Sequence, residues 1–350
     1  MKFRAAVLVE SSKELAFEVV EFREKLSVGQ VLVQIKYSGI CGAQVNEIDA
    51  IKGPDKYLPH LLGHEGLGIV VDVGPGVSKV KRADQVILHW RKGSGIESTP
   101  ARYFMNDKVV NSGWVTTFSD YSIVSENRLT KISSDDLGEL KTAAPLLGCA
   151  LTTALGVLGN DAQVGIRDHI LLFGAGGVGL CVVALASLFG VRKLTVVDKQ
   201  AIKLDIARKL GATSTVLFED KDSCATKLQQ IDSTFGFSVA IETSGSREGI
   251  ELSYELSNST ARIILVGVPS VNNKISIHTL PLHFGKKIKG SHGGGSNPDL
   301  DIPFLLELMQ QGTLNIGLIP VNVYKLENVN EAILQIRSGE PGRAILEMSQ

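Results

Sequence analysis

Three residues, Cys41 in Ser-Gly-Ile-Cys-Gly, His64 in Leu-Gly-His-Glu-Gly and Cys149 in Leu-Leu-Gly-Cys-Ala, form the one Cys/His set in the sequence that suggests a common centre. Two thiolates and an imidazole are ligands that zinc accepts, and three protein ligands leave one tetrahedral position for water or an alcohol oxygen. A metal so held is a Lewis acid that lowers an alcohol's pKa and stabilises the alkoxide that expels hydride. The sequence separations, 41 to 64 and 64 to 149, match no compact zinc signature such as CxxC. Taken singly, each cysteine reads equally well as a small buried hydrophobe, and the histidine as a hydrogen-bonded polar residue.

A second chemical pattern is local. LLFGAGGVGL carries Gly174-x-Gly176-x-x-Gly179, with Gly177 and Val178 inside it, after an apolar run and at the head of a helical one. The first glycine allows a tight turn, the second lets backbone approach a pyrophosphate, and the third lets helix and strand pack closely. Phosphates then meet unpaired N–H groups and the positive end of the helix dipole. Asp198 ends the next apolar run; a carboxylate there accepts hydrogen bonds from ribose hydroxyls and repels a 2′-phosphate, which predicts NAD over NADP. The plain alternative is a glycine-rich turn that binds nothing.

The elements that must position these residues change character along the chain. Up to about residue 140 the sequence is strand-rich (AAVLVE, VLVQIKY, LGIVVDV, DQVILHW, YSIVS), with Gly, Pro and Asp between the runs, which suits a small barrel-like domain. From about residue 168, apolar strands (HILLFGA, KLTVVD, STVLF, FSVAIET, ARIILVGV) alternate with helical segments, the pattern of a parallel sheet covered on both faces. Two amphipathic helices, around 302–309 and 329–337, and a last strand RAILEM close the chain.

Composition sets bounds. A length of 350 residues suits two domains. With 36 basic and 37 acidic residues the net charge is −1, which argues against nucleic acid or an acidic membrane as the main partner. Four irregularly spaced cysteines (41, 149, 181, 224) form no disulfide framework and suit a reducing cytosol; the N-terminus has no long apolar signal region. Residues 170–191 carry no charge and are long enough to span a bilayer, but their glycines and the strand–helix alternation that follows argue against it. Cys181 and Cys224 receive no role.

At these residues the chain resembles the medium-chain dehydrogenase/reductase superfamily, zinc-dependent alcohol dehydrogenase branch. GHEGLGIVVDVGPGV (63–77) fits that family's zinc signature, and LLGCALTTALG (146–156), the glycine-rich turn and SGEPGRAIL near the end extend the likeness over nearly the whole chain. The resemblance implies that Cys41, His64 and Cys149 hold a catalytic zinc. It gives Glu65 the role of the acid near the metal, with a packing carboxylate as the alternative. It sets Thr153, Val266 and Val268 against the nicotinamide, Lys203 by the adenosine ribose and Arg343 on the pyrophosphate, the last two having surface residues as their alternatives. It also implies a homodimer or homotetramer.

Three departures stand out. Residues 89–113, where many relatives hold a structural zinc on four cysteines, contain no cysteine, so one zinc per chain is expected. The family's hydroxyl two residues after the first cysteine, its following Asp and its relay histidine are here Ala43, Gln44 and Asn46; alanine relays no proton. KGSHGGG places His292 in a segment that lines the substrate pocket in relatives, so His292 or a water chain is a candidate replacement, the alternative being a histidine that fixes the loop. Arg91 and Lys92 are candidates for binding an anionic group, or a solvated loop.

The expected architecture is α/β: a barrel-like (GroES-like) catalytic zinc-binding domain from residues 1–150 with 294–350, and a doubly wound Rossmann NAD-binding domain from 151–293, with zinc, nicotinamide and substrate meeting between them. The expected activity is NAD-dependent oxidation of a polyol, sugar-derived or otherwise functionalised secondary alcohol in the cytoplasm. The rivals are a zinc-free reductase of the same fold and a catalytically silent NAD-binding protein.

Overall fold

In the computed structural model, which describes residues 1–133, 137–233 and 236–349, the chain divides into two compact units. The first comprises Met1–Thr152, Asn297–Thr313 and Pro320–Gln350; the second comprises Thr153–Ser296 and Leu314–Ile319.

The first unit is built on two sheets. One runs His60–Leu61, Lys2–Leu8, Ala16–Glu21, Tyr103–Met105 and Lys108–Val110 in spatial order, all antiparallel. The other runs Leu129–Ile132, Gln85–His89, Glu65–Val73, Gln30–Gly39, Arg343–Glu347 and Val321–Lys325, with Tyr121–Ser125 also on Gln30–Gly39. Alternation along VLVQI sends Val31, Val33 and Ile35 inward, where they join Val70, Val86, Leu88 and, from the C-terminal segment, Ala344 and Leu346. Each such side chain contributes about 1.5–3 kcal/mol by leaving water. This is the GroES-like half of the fold.

The second unit is a six-stranded parallel sheet in the order Ser214–Leu217, Lys193–Asp198, His169–Phe173, Phe237–Glu242, Ser257–Leu265, Lys287–Gly290. Numbered along the chain this is 3-2-1-4-5-6, the doubly wound dinucleotide-binding order. The expected strands and helices appear close to their predicted bounds: KLTVVD is the strand Lys193–Asp198, and the following helix Ala201–Leu210 stops at Gly211 in a left-handed turn with φ 116°. The sixth strand, KIKG, was not expected. It is a largely exposed edge strand and carries no apolar run to announce it. The uncharged stretch 170–191 resolves into the strand His169–Phe173 and the buried helix Gly177–Ala186. Among the described residues no single helix is long and apolar enough to cross a membrane.

One carboxylate in this unit makes its stability depend on pH. Glu251 accepts from Ser276 N (2.9 Å) and pairs with Arg247 (2.9 Å) and Lys221 (3.3 Å), which together hold it down to about 2 from an ordinary 4.5. Because the folded-state value is the lower one, the ionised form stabilises the fold above about pH 4.5, and that stability is lost as pH falls toward 2. Allowing for solvent screening, Glu251→Gln is expected to cost about 1–2 kcal/mol at pH 7 and almost nothing near pH 2, read by urea denaturation at both pH values.

Candidate metal centre and nucleotide site

Strand register assembles two of the three metal-type side chains. In the antiparallel pair Gln30–Gly39 and Glu65–Val73, Ser38 lies opposite Gly66, so the chain just beyond the strand ends brings the regions of Cys41 and His64 together. Cys41 caps the short helix Gly42–Ile48, and His64 directly precedes its strand. Cys149 arrives from elsewhere, at the break between the 3₁₀ segment Gly138–Gly148 and the helix Ala150–Gly156. A Cβ at Gly148 would stand 2.2 Å from the Leu88 carbonyl oxygen, so only glycine lets this segment lie so close to the strand Gln85–His89.

The ligand atoms of Cys41, His64 and Cys149 all lie within 4.8 Å of one another. Cys149 is buried and Cys41 partly so. The two sulfurs share a hydrogen bond. Together with His64 beside it, this pulls the Cys41 thiol well below its ordinary value, and the same bond pushes Cys149 up. Burial opposes charge on His64, yet contact with the Cys41 sulfur outweighs it and raises the imidazole. The Nε2 atom of His64 is buried with no hydrogen-bond partner among the described residues. Two soft sulfurs, an imidazole nitrogen lacking a partner and a readily ionised thiol fit a divalent zinc.

Glu65 and Arg343 are 278 residues apart in sequence and form a buried ion pair through Oε1 and Nη2, with exposures of 0% and 5%. Burial pushes the Glu65 carboxyl up, and Arg343 opposes that rise. A Cβ at Gly39 would stand 2.1 Å from Glu65 Oε1, so the glycine before Ile40-Cys41 is what admits this side chain. Arg343, expected on a pyrophosphate, thus has one arm committed to Glu65, a partner that motif matching did not supply.

Gln44 takes up an anchoring role. Its Oε1 accepts the Gly63 N–H beside His64, and its Nε2 donates to Glu47 Oε2 at 2.9 Å. Gln44, Glu47, His60 and His64 line one pocket of about 420 Å³ with Tyr57 and Trp114. Sequence reading passed over Glu47, Asp55 and His60 entirely, because no motif links them.

Residues 89–113 are organised without cysteine. Glu126 accepts the backbone N–H groups of Ser78 (2.9 Å), Lys79 (3.0 Å) and Ile96 (2.8 Å). Arg128 joins Glu97 (2.6 Å) to the Trp90 carbonyl, and Asp299 accepts Ser94 N (2.6 Å). Arg91 stacks near Trp90, its Cζ 5.6 Å from the ring centre, and Lys92 pairs with Glu97 at 3.5 Å.

In the second unit the glycine-rich turn has the geometry its spacing predicts. Gly174 has φ 93°, and a Cβ at Gly179 would come within 1.9 Å of the Gly174 carbonyl oxygen. A Cβ at Gly176 would meet only open space, and the helix Gly177–Ala186 that opens here, with Val178 in its first turn, has no side-chain cap. Its first N–H groups therefore face an open cradle that fits a phosphate group. Asp198 accepts from Ala175 N (2.7 Å) and Gln200 N (2.9 Å), and with Lys203, Phe218 and Ser244 lines a pocket of about 330 Å³. Val266 and Val268 follow the strand Ser257–Leu265, and Thr153 is buried on the helix Ala150–Gly156. His292 is exposed, just ahead of the turn Gly293–Gly295, whose Gly294 carbonyl accepts from Asn160 at 3.0 Å.

A GroES-like unit bearing a Cys₂His cluster and a doubly wound unit bearing a phosphate cradle define a zinc-type, nucleotide-dependent dehydrogenase. Residues 27–134 match the alcohol dehydrogenase GroES-like domain, and residues 177–311 match the zinc-binding dehydrogenase family. The S-(hydroxymethyl)glutathione dehydrogenases of Synechocystis sp. and Photobacterium damsela subsp. piscicida are each 27% identical to this chain, over 99% of it and 100% of theirs. The benzyl alcohol dehydrogenase of Acinetobacter calcoaceticus superposes with a TM-score of 0.87 at 25% identity, covering both chains fully. An alcohol dehydrogenase zinc-binding domain protein from Burkholderia ambifaria shares the fold, with a TM-score of 0.88 at 24% identity over both full lengths. The chain belongs to the zinc-dependent alcohol dehydrogenase branch of the medium-chain dehydrogenase/reductase superfamily, whose cofactors are zinc and NAD.

Proposed function

We propose that this enzyme interconverts a functionalised secondary alcohol, of the polyol or sugar-derived type, and its ketone, with one zinc per chain and NAD as the redox partner. The observation that carries this is the Cys41–His64–Cys149 cluster, with ligand atoms mutually within 4.8 Å. When bound, zinc supplies a Lewis acid that acidifies an alcohol hydroxyl, and NAD supplies the two-electron acceptor.

The chain's own residues do the rest. Cys41, His64 and Cys149 hold the metal, and Gln44 steadies the backbone at Gly63 so that His64 keeps its aim. Arg343 keeps the Glu65 carboxylate charged beside the metal ligands. The N-terminal turn Gly176-Gly177-Val178-Gly179, entered from Gly174, takes the pyrophosphate, Asp198 and Lys203 take the adenosine ribose, and Thr153, Val266 and Val268 shape the nicotinamide site. The 420 Å³ pocket supports the substrate class: Tyr57 and Trp114 offer aromatic faces, while the part-exposed Glu47 carboxylate and the Ser112 hydroxyl offer groups for hydroxyls. The relatives named for S-(hydroxymethyl)glutathione and benzyl alcohol, at 27% and 25% identity, set the class of reaction and leave the substrate to these walls.

We also place the enzyme in the cytosol, in keeping with four cysteines that form no disulfide, and as a homodimer or homotetramer. Elemental analysis of freshly purified protein should find one zinc per chain, and a panel of polyols and sugar alcohols with NAD should give NADH. A metal-free protein that still turns over would establish instead the zinc-free reductase.

A further inference from the structure

Oxidising an alcohol releases a proton that must leave the site, and Ala43, two residues after Cys41, offers no hydroxyl to take it. The wall of the pocket that includes His64 holds another exit. His60 Nδ1 lies 2.9 Å from the Leu61 carbonyl, which only accepts, so Nδ1 carries a hydrogen. His60 Nε2 lies 2.7 Å from Asp55 Oδ2. With no hydrogen between them, two lone pairs would face each other at that distance, so the pair must share a proton there. Glu47 Oε1 stands 4.0 Å from the same Nε2, while its other oxygen accepts from Gln44. The His60 and Asp55 side chains are nearly enclosed, with 7% and 9% exposure, whereas Glu47 is 42% exposed.

We propose that Glu47, backed by the proton-sharing His60–Asp55 pair, receives the proton released from the substrate hydroxyl and passes it to solvent. This rests on the alcohol dehydrogenase reading given above. In the balanced step the O–H bond breaks and its proton travels through pocket water to the Glu47 carboxylate. The C–H electron pair leaves as hydride with NAD as its acceptor, and the C=O bond forms. The pocket has room for about a dozen waters at liquid density, and both His64 and Glu47 line it. His60 flanks Glu47 on one side, with Asp55 bonded to His60. Tyr57 and His64 share the pocket wall, and Arg128 lies 5.5 Å from the centre of the Trp114 ring. His60 and Asp55 are positioning residues; Glu47 is the group that exchanges the proton.

The test uses the full-length zinc-loaded enzyme with NAD and its best alcohol, comparing Glu47→Gln, His60→Asn and His292→Ala. Glu47→Gln should lower turnover ~10²-fold near neutral pH with metal content unchanged, delay proton release to a pH indicator, and recover about tenfold on adding imidazole. ¹⁵N NMR of the His60 ring should show a hydrogen on Nδ1, and the Nε2 signal should change in Glu47→Gln. Wild-type proton release and pH profile in Glu47→Gln would overturn the proposal. So would loss of the ionisable limb in His292→Ala but not in Glu47→Gln, or a second metal equivalent that disappears in His60→Asn. Absence of zinc in the wild-type protein would be a separate failure, that of the dehydrogenase reading. The NMR measurement needs no metal, and a His60 Nε2 signal indifferent to Glu47→Gln would sink the relay by itself.

Discussion

Replacing His64 with alanine is expected to abolish zinc retention and lower alcohol oxidation ~10³–10⁴-fold, since Lewis-acid stabilisation is worth several kcal/mol and each 1.36 kcal/mol is tenfold in rate. The size of the effect follows from how the site is divided. Cys41 and His64 come from neighbouring strand ends, and Cys149 from a separate segment held against Leu88. Removing the imidazole leaves two sulfurs, one fewer than the three protein ligands of a catalytic zinc. The remaining protein should stay folded, because the core around Val33, Val70 and Leu88 does not depend on this side chain. Zinc content by elemental analysis, turnover with NAD and the circular dichroism spectrum decide the matter together. A folded variant that keeps a tenth or more of wild-type activity without metal would remove zinc from the account. Metal retention should also weaken as pH falls, because the sulfurs must lose their protons to bind.

Arg343→Leu is expected to destabilise the first unit by about 3–5 kcal/mol, the cost of leaving a buried charge without its partner. Glu65 is fully enclosed and Arg343 nearly so; Oε2 of Glu65 has no hydrogen-bond partner among the described residues, so the guanidinium is its main support. Loss of that support lets burial push the carboxyl further up, toward its neutral form. Removing both partners should cost much less than removing either one, because a buried pair replaced by apolar groups of similar size is often close to neutral. Urea denaturation of wild type, Arg343→Leu, Glu65→Leu and the double variant forms a double-mutant cycle; additive effects would mean that the two side chains do not stabilise each other. NAD affinity measured on the same proteins reports separately on whether Arg343 affects the cofactor.

The parts of this protein legible in its sequence are those built from neighbouring residues. HILLF, the Gly174–Gly179 turn, the helix after it and Asp198 lie within about thirty residues, so the spacing of glycines and acid already encodes the cradle. Strands such as Gln30–Gly39, Glu65–Val73 and Lys193–Asp198 were legible for a similar reason, since a buried strand must show its apolar alternation or run in the sequence itself. The edge strand Lys287–Gly290 lacked that signal because its side chains face water. Residue type raised the zinc-type cluster as a possibility, the family signature supported it, and the folded chain brought the three side chains together. No local pattern pointed to Arg343 beside Glu65, to Gln44 on the Gly63 backbone, or to Glu47 and His60 on one pocket wall with Asp55 bonded to His60. These contacts depend on strand register and chain crossings that join residues up to 278 positions apart. Charge and hydrogen-bond complementarity act through space, and sequence distance carries almost no information about them.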